Sequence, residues 1–199
     1  MKVIGLTGGI ASGKSTAARY LAERGAVLID ADRLGHRAYE PDTNAFAALV
    51  KAFGDGVVAA DGSIDRKALG GEVFGKPERL KQLTDIVWPE IRRLAQMEIA
   101  SSAPDSIVVL EAAVLFEAGW EDVVDEIWVV VVDPAVAIGR AIERDGVEAE
   151  AVQKRLDAQL SNAERQAKAD VTIDNSGDEA ALTAILDTLW QDISSSQEQ

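Results

Sequence analysis

The sequence predicts an α/β domain on a five-stranded parallel sheet, and three observations support that fold class. Short apolar runs recur between longer segments of helical period, the alternation that strands with crossover helices produce. Two of those runs, 107–110 and 127–132, are almost wholly apolar, as strands covered on both faces are. Near the start an apolar run, a glycine-rich turn and a helical pattern follow one another directly in "KVIGLTGGIASGKSTAARYLAERG". A chain of 199 residues is long enough to bury roughly 70 % of its unfolded surface in one domain.

In chain order, the first strand is Val3 to Leu6. The helix after Lys14 sets Ala17, Ala18, Leu21 and Ala22 on one face and stops at Gly25, a glycine suited to the position after a helix C-cap. Ala26 to Ile29 forms the second strand, and "VLIDADR" places Asp30 and Asp32 at its carboxyl end, where open parallel sheets bind ligands. From about residue 43 to 102 the strand signal disappears. Helices joined by "GDG" and "DGS" turns and by Pro77 replace it, with Pro89 inside or between two of them. The remaining strands are Ile107 to Leu110, Ile127 to Val132 and Val171 to Ile173. A second helical stretch, from Pro134 to about Lys168, carries Arg140, Arg144, Lys154, Arg155, Arg165 and Lys168 interleaved with acids. Trp88, Trp120, Trp128 and Trp190 fall on apolar segments and read as core, and the polar tail "SSSQEQ" reads as a frayed end.

Composition narrows the function. There is no cysteine, so disulfides, thiolate metal sites and cysteine nucleophiles are excluded, which suits a reducing cytosol. The opening apolar run is too short for a signal peptide or a membrane span, so the expectation is a cytoplasmic protein without a membrane partner. A monomer or weak oligomer is expected besides, although no feature of the sequence fixes the oligomeric state. Thirty-four acidic against twenty basic residues give a net charge of -14, which argues against nucleic acid as a partner. An anionic ligand then needs a local concentration of basic groups.

Gly8 to Ser15 match GxxxxGK(S/T) between a strand and a helix. Backbone N–H groups of such a turn and the positive end of the helix surround phosphate oxygens, and Gly13 permits an approach that a β-carbon obstructs. Lys14 adds a point charge for the β and γ phosphates, and the Ser15 hydroxyl suits Mg²⁺. The stretch therefore reads as a nucleotide triphosphate site rather than an ordinary glycine-rich turn. No NKxD tetrapeptide follows, which argues against a GTPase switch.

Three further groups leave alternatives open. Asp32 either orients or deprotonates an attacking hydroxyl or is the N-cap of the next helix. Glu111, at the end of a buried strand, either supports Mg²⁺, directly or through water, or merely terminates the strand. Arg140 and Arg144, four apart on one helical face, either close over the transferring phosphoryl group or form a solvated face with Arg144 paired to an acid such as Glu148. His36, the single histidine, lacks any triad or metal-ligand spacing and reads as a helix-surface or packing residue.

With these residues on the page, the chain resembles the dephospho-coenzyme A kinases. The likeness runs nearly end to end through "GLTGGIASGKST", "IDADRLGH", "GSIDRKALGGEVF", "LEAAVLFEAGW", "GRAIERDG" and "AKADVTIDNSG", in the family's order. It implies a single P-loop kinase domain over 1–199, three layers deep, with a helical acceptor-binding insertion at about 43–102 and a helical lid at about 134–160. It implies ATP and Mg²⁺, dephospho-coenzyme A as acceptor, and transfer to the ribose 3′-hydroxyl. By the same resemblance Gly9, Ala11, Ser12, Gly13, Lys14, Ser15 and Thr16 hold ATP, Arg140 touches its phosphates and Asn175 lies near the adenine. Asp32 faces the acceptor hydroxyl and Arg66 helps hold the acceptor. For the metal, the residues themselves offer Ser15 and Glu111. The sequence departs from many bacterial members at Ala11, where they have glycine, at Trp88 before Pro89, where they have histidine, and at Ala113, where they have proline. A left-handed backbone at Ala11 would strain the loop. "LTDIVWPEI" and "EAAVLFEAGW" are worded more like the kinase domain of bifunctional coenzyme A synthases. The rival readings are a kinase for another small hydroxylated metabolite or a nucleoside, and a slow nucleotide-dependent regulatory switch.

Overall fold

The computed structural model describes residues 1–197. Its strands are β1 (Lys2–Gly8), β2 (Val27–Asp30), β3 (Ile107–Glu111), β4 (Glu126–Val131) and β5 (Val171–Asp174). Each expected strand is present, with no end moved by more than two residues. The helices are α1 (Lys14–Glu23), α2 (Ala31–Ala38), α3 (Asn44–Phe53), α4 (Arg66–Val73), α5 (Pro77–Ser101), α6 (Pro134–Asp145), α7 (Ala149–Asp157), α8 (Asn162–Gln166) and α9 (Glu179–Gln197). The tail expected to fray is helical as far as Gln197, and Glu198 and Gln199 lie outside the described residues. Among the described residues no helix is long and apolar enough to cross a membrane.

The described chain divides into two compact units, Met1–Ile29 with the described residues from Ser101 onward, and Asp30–Ala100. In the first, the parallel sheet has the order β2-β3-β1-β4-β5. Strand β1 is central: Lys2 to Leu6 run beside Ile107 to Glu111, and Ile4 to Gly8 beside Glu126 to Val130. One face of β1, Ile4 and Leu6, packs with Ile107, Val109, Trp128, Val130 and Ile173 beneath Ala17, Ala18 and Leu21 of α1 and Leu182 and Leu186 of α9. Gly5 points to the other face, where a β-carbon would stand 2.6 Å from Leu115 Cδ1. Trp120 and Trp128 are core residues as read; Trp190 packs against the core half-buried.

The second unit is helical, with a short antiparallel bridge between Val58 and Ile64. Thr43 caps α3 and Asp65 caps α4 through side-chain oxygens on backbone N–H groups. Helix α5 is continuous, with Pro89 inside it. Leu34, Leu49, Leu69, Val87 and Ile91 are among the buried apolar side chains of this unit.

Candidate active site

The loop between β1 and α1 is shaped by two left-handed residues, Ala11 (φ 53°) and Gly13 (φ 88°). Gly13 is required twice over: its backbone lies where a β-carbon is disfavoured, and that carbon would stand 2.1 Å from Asn175 Nδ2. Gly8 is required by close packing, since a β-carbon there would meet Val130 O at 2.5 Å and Ser12 Oγ at 2.6 Å. Ala11 does adopt the strained conformation that glycine would relieve, at about 1–2 kcal/mol. No side chain caps α1, so its first amides remain available to an anion.

Where the loop meets the helix, Lys14 Nζ lies 2.5 Å from Glu111 Oε1 and Ser15 Oγ donates to the same oxygen at 2.6 Å. Glu111 is 8 % exposed. The register of β1 against β3, Leu6 beside Glu111, brings this carboxylate to the loop. Glu111 is therefore more than a strand terminator: it neutralises the ammonium and orients the hydroxyl. A hydroxyl and a carboxylate oxygen are hard donors of the type Mg²⁺ takes, with substrate phosphates filling further positions. Among the described residues no cluster of three or more His, Cys, Asp or Glu could hold an ion unaided.

Asn175, just beyond β5, donates from Nδ2 to the Ser12 carbonyl at 2.8 Å in a buried setting, fixing the loop from behind. Arg140 on α6 donates to the carbonyls of Asn175 (2.8 Å) and Gly177 (3.0 Å), so its guanidinium is engaged with the backbone after β5. A cleft of about 300 Å³ is lined by Ala11, Gly13, Arg140, Glu143 and Arg144. Arg144 makes a two-bond pair with Asp145, at 2.7 and 2.8 Å, rather than with Glu148. That pairing raises the Arg144 pKa and holds the Asp145 carboxyl below its usual range.

Two residues to which the sequence assigns no role also border the loop. Gln159 Oε1 accepts the Ile10 N–H at 3.1 Å. Arg165 is 3 % exposed and burial lowers its pKa. The sequence signals neither, because Gln159 is an uncharged residue in the connection between α7 and α8 and Arg165 sits on a short helix among other basic and acidic side chains.

In the second unit, Asp30 is the N-cap of α2 and accepts the N–H groups of Asp32 and Arg33. The capping alternative for Asp32 is thereby corrected: Asp30 has the extended φ/ψ that a cap needs (−99°, 109°), and Asp32 is already helical. The exposed Asp32 carboxylate accepts no hydrogen bond among the described residues. Arg66 opens α4 and lines a pocket of about 230 Å³ with Tyr39, Leu69, Val87, Trp88 and Ile91. Trp88 is a half-buried pocket wall rather than a core residue. His36 is exposed on α2, as read.

A parallel sheet of this strand order, with its first strand running into a lysine-tipped loop and a carboxylate beside it on the next strand, is the build of a P-loop kinase. The family model described as dephospho-CoA kinase matches residues 2–181, and the chain belongs to that family. It is 45% identical over 194 residues to a dephospho-CoA kinase of Geobacter sulfurreducens, covering 96% of this chain and 98% of the relative. It is similar to a crystal structure from Thermus thermophilus (36% identity, TM-score 0.81, 96% of this chain and 97% of that one). It is similar also to the dephospho-CoA kinase from Campylobacter jejuni (28% identity, TM-score 0.67, 98% of each chain).

Proposed function

We propose that this chain transfers the γ-phosphoryl group of ATP to the ribose 3′-hydroxyl of dephospho-coenzyme A, giving coenzyme A and ADP, the last step of coenzyme A synthesis. The single observation that carries the phosphate chemistry is the convergence of Lys14 and Ser15 on Glu111 beside an uncapped helix start. Loop amides and the ammonium hold the β and γ phosphates by charge and geometry, with no covalent bond to the enzyme. Ser15 and Glu111 would hold Mg²⁺, which when bound neutralises charge between the β and γ phosphates. Asn175 keeps the Ser12 carbonyl in place, so the loop meets the nucleotide already shaped.

The acceptor oxygen bonds to the γ-phosphorus as the bond to the β–γ bridging oxygen breaks, and Asp32 takes the hydroxyl proton. What supports Asp32 in that role is its unengaged carboxylate, the adjacent Asp30 being the one used as a cap. Arg66, at the rim of an apolar pocket in the helical insertion, is suited to an acceptor anion. The stretch from about residue 134 to 160, which holds α6 and α7, is read as the lid, with Arg140 reaching ATP from its present seat on the Asn175 and Gly177 carbonyls.

ADP release coupled to a dehydrogenase assay tests the reading. Dephospho-coenzyme A should stimulate turnover well above the ATP-only rate, and other alcohols and nucleosides should not. Equal stimulation by an unrelated acceptor, or none, rejects the proposed substrate. Asp32→Asn should lower kcat while leaving the KM for ATP within about threefold; a parallel loss in both would make Asp32 structural.

A further inference from the structure

Arg165 carries a charge that its surroundings do not fully answer. Its Nη1 donates to the Leu160 carbonyl, and its Nη2 lies 3.9 Å from Glu117 Oε1, beyond hydrogen-bond reach. Its Nε has no hydrogen-bond partner, although the residue is only 3 % exposed. Glu117 is itself about a third exposed (32%), so solvent weakens what it supplies. A buried cation left short of partners is destabilising, and an anion at that place would repair it.

The surroundings identify the anion. Arg165 lines a cavity of about 340 Å³ whose wall includes Gly9, Ile10 and Ser12 of the phosphate loop. A β-carbon on Gly9 would stand 3.5 Å from Arg165 Nη1 and 3.5 Å from Gln159 Oε1. The Ser12 hydroxyl, 1 % exposed, borders the same cavity and also lacks a partner. Next to it the Ile10 amide is taken by a side-chain oxygen, Gln159 Oε1. A guanidinium with an unmet Nε, an unmet hydroxyl and an amide satisfied by a borrowed oxygen surround one space, and tetrahedral phosphate oxygens satisfy all three.

We propose that Arg165 is a catalytic residue that binds the terminal phosphoryl group of the nucleotide, and that Gln159 holds the Ile10 amide until a phosphate oxygen replaces it. This rests on the reading that the loop from Gly9 to Thr16 holds ATP. In the transfer, the bond from the β–γ bridging oxygen to the γ-phosphorus breaks as that to the acceptor oxygen forms. Arg165 donates hydrogen bonds to the equatorial oxygens throughout and neither gains nor loses a proton.

The test is equilibrium binding of ADP, of the β,γ-imido analogue of ATP and of dephospho-coenzyme A to the full chain, with kcat measured alongside. Arg165→Met should bind ADP within about twofold of the parent, lose about tenfold or more in affinity for the imido analogue, and fall about 10²- to 10³-fold in kcat. Its affinity for dephospho-coenzyme A should not change. Arg165→Lys, which keeps the charge without the fork, should recover part of the imido-analogue affinity and less of kcat. Equal losses for ADP and the analogue would make Arg165 a support of the loop and overturn the proposal. A loss confined to dephospho-coenzyme A would overturn it too, by moving the anion to the acceptor. Should the methionine variant show no cooperative melt, the lysine variant decides: parental kcat overturns the proposal, and a tenfold or greater loss with unchanged ADP affinity supports it. If the parent protein binds neither ADP nor the analogue, the ATP reading itself fails and the Arg165 assignment falls with it.

Discussion

Replacing Asn175 by alanine removes the one side-chain bond to the Ser12 carbonyl and leaves that buried acceptor unsatisfied, a loss of about 1–3 kcal/mol. Arg140 bonds the backbone carbonyl of residue 175, so that contact survives the substitution and serves as an internal control. For a chain of 150–250 residues each kcal/mol moves the midpoint by about 2–4 °C, and a central loss of about 2 kcal/mol predicts a Tm lower by roughly 4–8 °C. The loop must then be ordered by the nucleotide, so the KM for ATP should rise about tenfold, more than kcat falls. Asn175→Asp sharpens the test because it keeps the shape and turns the donor into an acceptor. Burial at residue 175, 6 % exposed, raises the pKa of an aspartate placed there. Only its protonated form donates to the Ser12 carbonyl. The folded pKa then lies above the unfolded one, so the aspartate variant is most stable below about pH 4 and loses that advantage as pH rises through the raised value. Thermal and urea melts across pH measure this. An alanine variant melting within about 1 °C of the parent, with an aspartate variant showing no extra loss at high pH, would refute the idea that Asn175 holds the loop.

Ala11→Gly should leave kcat unchanged and raise stability slightly: release of about 1–2 kcal/mol of left-handed strain outweighs about 0.5–1 kcal/mol of added chain entropy, and a lower Tm would contradict it. Glu111→Gln leaves the Lys14 ammonium without its carboxylate. Since the amide oxygen still accepts, it should cost about 1–2 kcal/mol, while a Mg²⁺ titration of the rate should shift to higher concentration; an unshifted titration would remove Glu111 from the metal's surroundings. Ser161 and Glu164 cap α8 reciprocally, and hydrogen bonds to Ser161 hold the Glu164 carboxyl below its usual range. A depressed folded pKa adds stability at neutral pH that is lost as pH falls through the folded value, so the protection of the Asn162–Gln166 amides relative to their intrinsic exchange rates at each pH should fall there in the parent but not in Glu164→Gln.

Much of this arrangement is legible in the sequence because it is local or periodic. The β1–loop–α1 unit is written in an apolar run, glycines and a helical repeat, and buried strands announce themselves as apolar stretches such as Ile107 to Leu110. What is not legible depends on chain segments far apart. The bond from Asn175 to Ser12 spans 163 residues, and nothing near either end indicates it. Asp30 and Asp32 are equally good capping residues by type, and only the backbone turn at Asp30 decides between them. Arg165 looks like any basic residue on a mixed-charge helix until burial strips it of solvent. Pro89 stays inside α5 rather than ending it, since the buried side chains of Val87, Ile91 and Ala95 hold the helix on both sides of the proline.

The most direct measurement of the central claim is the position and count of phosphate in the product. With ATP, Mg²⁺ and dephospho-coenzyme A, phosphorus NMR together with mass analysis should give one new monoester on the ribose 3′-oxygen and one ADP per coenzyme A formed. ADP produced without that ester, or phosphate placed on any other oxygen, would contradict the account.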